Sequence, residues 1–273
     1  MRRIATTIEL AKASWAVLKA DKELVVLPVM SGVASIIVAL TFLIPTGFLR
    51  GAESVGTVEY ILLGVLYLAM AFVKIFFNTA LVYAANQRLS GGDPTVGSAI
   101  AGAAKHIPQI FVWSAISATV SVILKSLQER AGFIGQIVIG LVGLAWTLVT
   151  FLVIPVFVIE NVGVREALSR SASLFKRTWG ENVAAQVGFG LLGFIATLPF
   201  ILLAVAAMAS GSDALVAVGV LIAVVGVIGV SVVMAALNAI FQTALYHYAD
   251  SGRVPGGYFN DDDFAHAFVP RRR

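Results

Sequence analysis

The chain of 273 residues contains no cysteine and few charged side chains. Without a thiol it has no disulfide, thiolate nucleophile, iron–sulfur cluster or Cys-ligated zinc. Charged residues make up 12% of the chain and apolar residues 59%, whereas a soluble domain has roughly 25% charged residues. This composition leaves too little polar surface to cover a soluble fold of this size. A net charge of +4 is too small, in so apolar a chain, to indicate a nucleic-acid partner.

Six stretches are long and apolar enough to cross a bilayer, which takes about 20 residues at about 1.5 Å each. They cover residues 24–49, 61–84, 108–127, 133–159, 183–208 and 214–248. Three segments between or before them carry helical patterns, at about 3–20, 94–106 and 163–179, and a tail follows at 250–273. We therefore expect a single membrane domain over 1–273.

The positions of the basic residues predict the orientation of the six spans. Of the 19 Lys and Arg, fifteen fall in the loops and tails on the side of the two termini. Three, Arg50, Lys125 and Arg130, fall on the other side, and Lys74 lies within a span. Because basic loops stay in the cytoplasm, both termini are predicted to be cytoplasmic. We expect the plasma (inner) membrane of a prokaryote.

The segments that precede the first, third and fifth spans are predicted to be amphipathic helices. Ile4, Ile8, Ala11, Trp15 and Leu18 recur at helical spacing before the first span, and Val164, Leu168, Ala172, Phe175 and Trp179 do so before the fifth. Asp93 and Pro94 suggest the start of the weaker middle helix. The fold class is therefore all-α, with six transmembrane helices arranged as three hairpins, each preceded by a cytoplasmic amphipathic helix.

Two of these helices carry basic residues that are candidates for contact with lipid headgroups. The candidates are Lys12, Lys19, Arg165, Arg170, Lys176 and Arg177. Such a helix can lie in the headgroup region, where anionic lipids would be its partners. It can equally pack beneath the bundle as a cytoplasmic elbow.

A second set of candidates lies within the spans, where polar residues are costly and often functional. Lys74 and Asn78 share one face of the second span, and Asn238 and Gln242 occupy matching positions in the last span. If the two spans adjoin, these four side chains form an intramembrane polar cluster. It could bind an anionic group, or it could be structural, with interhelical hydrogen bonds and Lys74 extending to the interface.

The six predicted spans contain no Asp or Glu. This disfavours a proton- or cation-coupled transporter, because such proteins usually place a carboxylate at membrane depth. The three histidines have no metal-site spacing, and no phosphate-binding glycine loop or nucleophile motif is present. We expect no catalytic residues, no metal and no cofactor, and therefore not an enzyme.

Residues 155–182 carry a pattern that resembles a known family. The pattern is Pro155-x4-Glu160-x2-Gly163-x3-Ala167-x3-Ser171, followed by Trp179-Gly-Glu-Asn182, with Ser14-Trp15, Leu18, Asp21 and Leu27-Pro28 near the start. It resembles a family of uncharacterised six-span prokaryotic membrane proteins. It is also similar to YciC-like inner-membrane proteins and to the membrane domain attached to some glycerophosphodiester phosphodiesterases. The resemblance implies a six-helix bundle with cytoplasmic elbows, and no catalytic residue carries over.

Two functions agree with these features. The first is a non-catalytic membrane protein, an accessory subunit or a membrane-homeostasis component, with the bilayer and a membrane protein as partners. The alternative is a carrier or channel for a small solute or lipid, with its polar site between the second and sixth spans.

Overall fold

The computed structural model of the chain describes residues 2–44, 56–179 and 184–259. Within these ranges it consists of helices and short connections, without a strand, so the predicted all-α fold class is confirmed. The helices are α1 (Arg2–Ala20), a 3₁₀ helix (Lys22–Val25), α2 (Val26–Leu43), α3 (Thr57–Leu89), α4 (Val96–Ala104), α5 (Ile107–Arg130), α6 (Phe133–Thr150), α7 (Val153–Ile159), α8 (Val164–Trp179), α9 (Ala184–Ala209) and α10 (Asp213–Ser251).

Six segments of the described chain are long and apolar enough to cross a membrane, which makes this a multi-pass membrane protein. They are α2 with its 3₁₀ turn, α3, α5, α6 with α7, α9 from residue 190, and α10. The helices α1, α4 and α8 precede the three successive pairs, in the predicted order. The fourth span is not one helix, because it breaks between α6 and α7. The predicted end of the first span and most of the tail lie outside the described residues.

Two spans are much longer than a bilayer requires. At about 1.5 Å per residue, the 33 residues of α3 and the 39 residues of α10 extend about 50 and 58 Å. The hydrocarbon core of a bilayer is only about 30 Å thick. Most buried residues of these helices lie late in each, from Thr79 in α3 and from Ala236 in α10. Each helix therefore crosses the membrane with its first part and packs against protein with its last.

The spans surround themselves with exposed apolar side chains, which we name the apolar belt. One residue per span illustrates it, each more than half exposed: Ile36, Ile61, Ile123, Ile134, Phe194 and Leu221. Exposed aliphatic and aromatic groups at this density would aggregate in water and are suited to acyl chains. The belt is thus the lipid-facing part of the molecule.

The hydrophobic core lies at one end of the belt, which we name the packed end. Here α1, α4, α7 and α8 pack around the last part of α3 and of α10. Phe157 of α7 and Phe241 of α10 are the largest fully buried side chains. The middle helix of this end, α4, begins at Val96 and is capped by a reciprocal pair, Thr95 and Ser98. The expectation that this helix starts at Asp93 and Pro94 was wrong, because its N-cap is Thr95 and Asp93 binds Arg88.

Small residues allow α9 and α10 to pack closely within the belt. A Cβ atom added at Gly219 would overlap the Cβ of Ala207, and one at Gly226 would overlap the ring of Phe200. In a membrane the hydrophobic effect does not drive helices together, because lipid tails are as apolar as the side chains. Close van der Waals contact through small residues is therefore a main source of packing energy. Gly229, on the same helix, faces open space.

These contacts predict opposite effects for two matched substitutions. Gly219→Ala should destabilise the protein by about 1–3 kcal/mol, because overpacking must push α9 from α10. Gly229→Ala should be neutral or slightly stabilising, because alanine is the better helix former by up to about 1 kcal/mol. Thermal unfolding in detergent micelles measures both, and equal midpoints for the two variants would contradict the close contact.

Candidate functional site

The structure separates the four residues of the predicted intramembrane cluster into different environments. Lys74 and Asn238 are exposed, Asn78 is half-buried, and Gln242 is buried. Among the described residues, no hydrogen bond joins any two of the four. Gln242 instead donates from Nε2 to the backbone carbonyl of Phe151, where α6 ends.

Gln242 supplies a donor that the sequence of the fourth span removes. In a continuous helix the N–H of residue 155 would donate to the carbonyl of residue 151. Residue 155 is proline, which has no N–H and clashes with the carbonyl four residues before it. The helix breaks at residues 151–152, between α6 and α7. The amide of Gln242 reaches across from α10 to the Phe151 carbonyl. A side chain predicted as a ligand-site candidate thus compensates for a proline on a neighbouring span.

Ser171 of α8 forms two further hydrogen bonds at the same break. Its hydroxyl donates to the carbonyl of Val149 at 2.6 Å and accepts from the N–H of Leu152 at 3.2 Å. Ser171 is fully buried, so one hydroxyl serves two backbone groups at the end of α6, in addition to the Phe151 carbonyl that Gln242 serves. The serine of the 155–171 pattern therefore has a structural role, and so does its proline.

Glu160, the next residue of that pattern, binds two helices at once. Its Oε1 accepts from Arg170 Nε of α8 at 3.1 Å and from the hydroxyl of Tyr246 of α10 at 2.8 Å. Arg170 also binds Asp250 Oδ1 through Nη2 at 2.5 Å. We name Ser171, Gln242, Glu160, Arg170, Tyr246 and Asp250 together the polar clamp. It ties α8 and the α6–α7 break to the end of α10.

A further contact joins the same part of α10 to α3. His247 Nε2 lies 2.7 Å from Asn86 Oδ1, and the ring of His247 meets the Tyr246 ring edge to face. The sequence identifies neither Tyr246 as a partner of Glu160 nor Asp250 as a partner of Arg170. The available signal was their spacing of four residues, which places both on one face of α10.

The predicted headgroup contacts fall into three groups in the structure. Lys12, Lys19, Arg165 and Lys176 are exposed. Arg170 is half-buried, and its guanidinium is occupied by the two carboxylates of the polar clamp. The side chain of Arg177 lies outside the described residues. Of the five predicted contacts whose side chains the structure describes, four therefore present a cation to the surroundings of the packed end.

The helix α8 has its apolar side against the protein. Val164, Ala167 and Leu174 are buried beside Ser171, and α8 packs on α6 and α7. The outward side carries exposed polar residues, Arg165, Glu166, Ser169, Ser173 and Lys176. Of the two placements predicted for this helix, the geometry is that of an elbow packed beneath the bundle.

Side chains at the end of α1 hold it to the first span and to α4. Asp21 caps the 3₁₀ helix by accepting from the Glu23 N–H at 3.2 Å, and Glu23 Oε2 accepts from the Val96 N–H at 2.8 Å. Arg88 donates to the carbonyl of Ala20 at 3.5 Å and to Asp93 at 3.3 Å. Burial raises the pKa of the Asp21 carboxyl. We name these contacts of Asp21, Glu23 and Arg88 the α1 joint. They hold the end of α1 at the packed end.

The Gln242 contact predicts a specific loss of stability. Gln242→Leu removes the donor to the Phe151 carbonyl and should cost about 1–3 kcal/mol, the range for a buried polar group that loses its partner. Asn238→Leu, one turn earlier on the same helix, removes an exposed amide and should change stability by about 0.5 kcal/mol or less. Thermal unfolding in detergent micelles measures both.

A second substitution tests the link between Gln242 and the proline. Because Pro155→Ala restores an N–H near the Phe151 carbonyl, the pair Gln242→Leu with Pro155→Ala should lose less stability than the sum of its single changes. Strictly additive effects would contradict this coupling.

The ion pairs of the polar clamp predict a moderate contribution. Arg170→Met should destabilise by about 1–2 kcal/mol, because charged partners lose hydrogen bonds but are partly screened by solvent. Lys125→Met is the matched control. Its ion pair with Glu129 is largely exposed, so its loss should lie within about 0.5 kcal/mol. Unfolding midpoints that fall equally in both variants would contradict a structural role for Arg170.

Comparison with known proteins agrees with the resemblance in its general form. The model of the family described as "Family of unknown function (DUF6159)" matches residues 57–257, which include α3 to α10 and the whole polar clamp. No curated protein and no solved structure matches the chain. The similarity to YciC-like proteins and to the phosphodiesterase membrane domain has no support from these comparisons. The match covers most of the chain, and the protein belongs to this family of unknown function.

Proposed function

We propose that the protein is a non-catalytic integral membrane component, an accessory subunit or a membrane-homeostasis factor. The observation that supports this proposal is that polar side chains of the packed end bind other groups of the protein. Gln242, Ser171, Glu160 and Arg170 all bind backbone or side-chain partners of neighbouring helices. Because these polar groups already have partners within the protein, they stabilise the packed end and are not free to bind a substrate.

We further propose that the packed end faces the cytoplasm of a prokaryote, with both termini on that side. The exposed cations support this orientation. Lys12, Lys19, Arg165, Lys176 and Arg253 lie at the packed end, whereas Lys125 and Arg130 lie at the far end of α5. The proposed partners are anionic lipid headgroups and a protein that contacts the exposed polar side of α8.

The rival function is a carrier or channel that uses Lys74, Asn78, Asn238 and Gln242. The geometry supports it less, because the buried member of the set, Gln242, already binds a backbone carbonyl. Lys74 is exposed and lies about 26 Å along α3 from Thr57, close to the thickness of the hydrocarbon core. This position suits a lysine that extends its ammonium group to the interface.

Reconstitution distinguishes the two functions. Liposomes with the purified protein, a trapped proton-sensitive dye and a fluorescent phosphatidylglycerol in the outer leaflet should show the proton leak and lipid transfer of empty liposomes. Lys74→Met should leave both rates unchanged. A flux above that of empty liposomes that Lys74→Met abolishes would overturn the accessory function and establish the carrier.

Purification tests the accessory function directly. From native membranes, in mild detergent, we expect one partner protein to co-purify at a constant ratio. The paired change Arg165→Glu and Lys176→Glu should release it, because both cations are exposed on α8. Lys125→Glu, at the other end of the bundle, should retain it. Loss of the partner in all variants, or no constant partner, would count against an accessory subunit that binds through α8.

A further inference from the structure

The helix α1 has a second apolar side that the protein covers only in part. Leu10, Val17 and Leu18 are buried together with Ser14, and α1 packs against α10 and α9 on that side. Ile8 and Trp15 are 38% and 39% exposed. They are seven residues apart, which is about two helical turns, so they lie on one face. The sequence placed Ile8, Trp15 and Leu18 in one stripe, and the structure buries only Leu18.

Two lysines border this partly covered side. Lys12 and Lys19 each lie four residues after one of the two apolar residues and are exposed. The ammonium of Lys19 is 5.8 Å from the centroid of the Trp15 ring. Neither lysine forms an ion pair with a carboxylate of the described residues. Their charges are therefore available to an external anion.

The end of α1 lies beside the start of the apolar belt. Only Asp21 and the four residues of the 3₁₀ helix, Lys22–Val25, separate α1 from α2. The exposed Val26 and Val29 of α2 begin the apolar belt. The hydrogen bonds of the α1 joint (Asp21, Glu23 and Arg88) hold this short connection in place. The end of α1 is thus held close to the point where the lipid-facing surface of the first span begins.

We propose that α1 is an interfacial anchor that binds anionic phospholipid. Ile8 and Trp15 enter the boundary between headgroups and acyl chains, a level that tryptophan favours. Lys12 and Lys19 bind the phosphate and the anionic headgroup. This assignment deepens the proposed contact with anionic headgroups and rests on it, but it does not depend on an accessory role.

Comparison with α8 shows why we assign the anchor to α1. Both helices carry two exposed cations at the packed end, but the large apolar side chains of α8 described here are buried or half-buried against the protein. Stable attachment to a membrane surface takes an apolar insertion in addition to basic charge. In the described part of both helices, α1 alone combines an exposed tryptophan with adjacent lysines.

Quenching of Trp15 fluorescence by brominated lipids tests the anchor in the full-length protein. The signal of Trp15 is the difference in emission between the wild-type protein and Trp15→Phe. It is measured in bilayers of phosphatidylglycerol and phosphatidylcholine, with bromine on the acyl chains of one lipid or of the other. We expect both brominated lipids to quench it, and brominated phosphatidylglycerol to do so about twofold or more above its share of the bilayer.

Charge variants then separate the proposed contacts. Lys12→Gln with Lys19→Gln should remove the enrichment of phosphatidylglycerol while quenching persists. The matched pair Arg165→Gln with Lys176→Gln, which removes the same charge from α8, should leave it intact. Since all four residues are exposed, elution as a single species in size-exclusion chromatography should confirm that both pairs fold. High salt should reduce the enrichment by screening.

Each contrary result overturns a defined statement. No quenching of Trp15 by either lipid would show that α1 does not enter the interface. Quenching in proportion to bilayer composition would remove the anionic preference and the proposed headgroup contact with it. An equal loss of enrichment in the α8 pair would leave headgroup contact in place and overturn its assignment to α1. None of these results bears on flux or on co-purification, so the accessory function is tested separately.

Discussion

The arrangement of the bundle depends on one requirement of membranes, that a backbone polar group released by a helix break must find a partner within the protein. Pro155 breaks the fourth span, and the broken turn is completed by Gln242 from α10 and by Ser171 from α8. These two contacts hold α10 and α8 against the break. Once both helices are placed, Glu160 is within reach of Arg170 and Tyr246.

The molecule combines two parts that obey different physical rules. In the apolar belt, helices associate through small residues such as Gly219, because apolar bulk by itself is equally well solvated by lipid. At the packed end, long extensions of α3 and α10 meet α1, α4, α7 and α8 around a buried core. There the hydrophobic effect and hydrogen bonds act together. A rigid core beneath a lipid-exposed bundle suits a protein that presents surfaces rather than a substrate path.

Individual residues show how much of the structure the sequence pattern predicts. Gln242 stands out because it is polar within an apolar span, and Pro155 leaves the carbonyl of Phe151 without its helical donor. The sequence does not show, however, that these two groups meet in space. Arg170 was grouped with the surface cations because helical spacing places it among polar residues of α8, although two carboxylates occupy it. Helical spacing places Ile8, Trp15 and Leu18 in one stripe of α1, yet the structure buries Leu18 and leaves Ile8 and Trp15 partly exposed.

Membrane class, six spans, their order and the helices that precede each pair follow from the sequence alone. These properties depend on the length of apolar runs and on helical periodicity, which are local along the chain. The tertiary structure alone decided which polar groups meet, since Gln242 and Phe151 are 91 residues apart and Glu160 and Tyr246 are 86 apart. It also decided which side of α1 is covered. Such pairings depend on how separate helices pack in space, and a one-dimensional pattern of hydropathy does not contain that information.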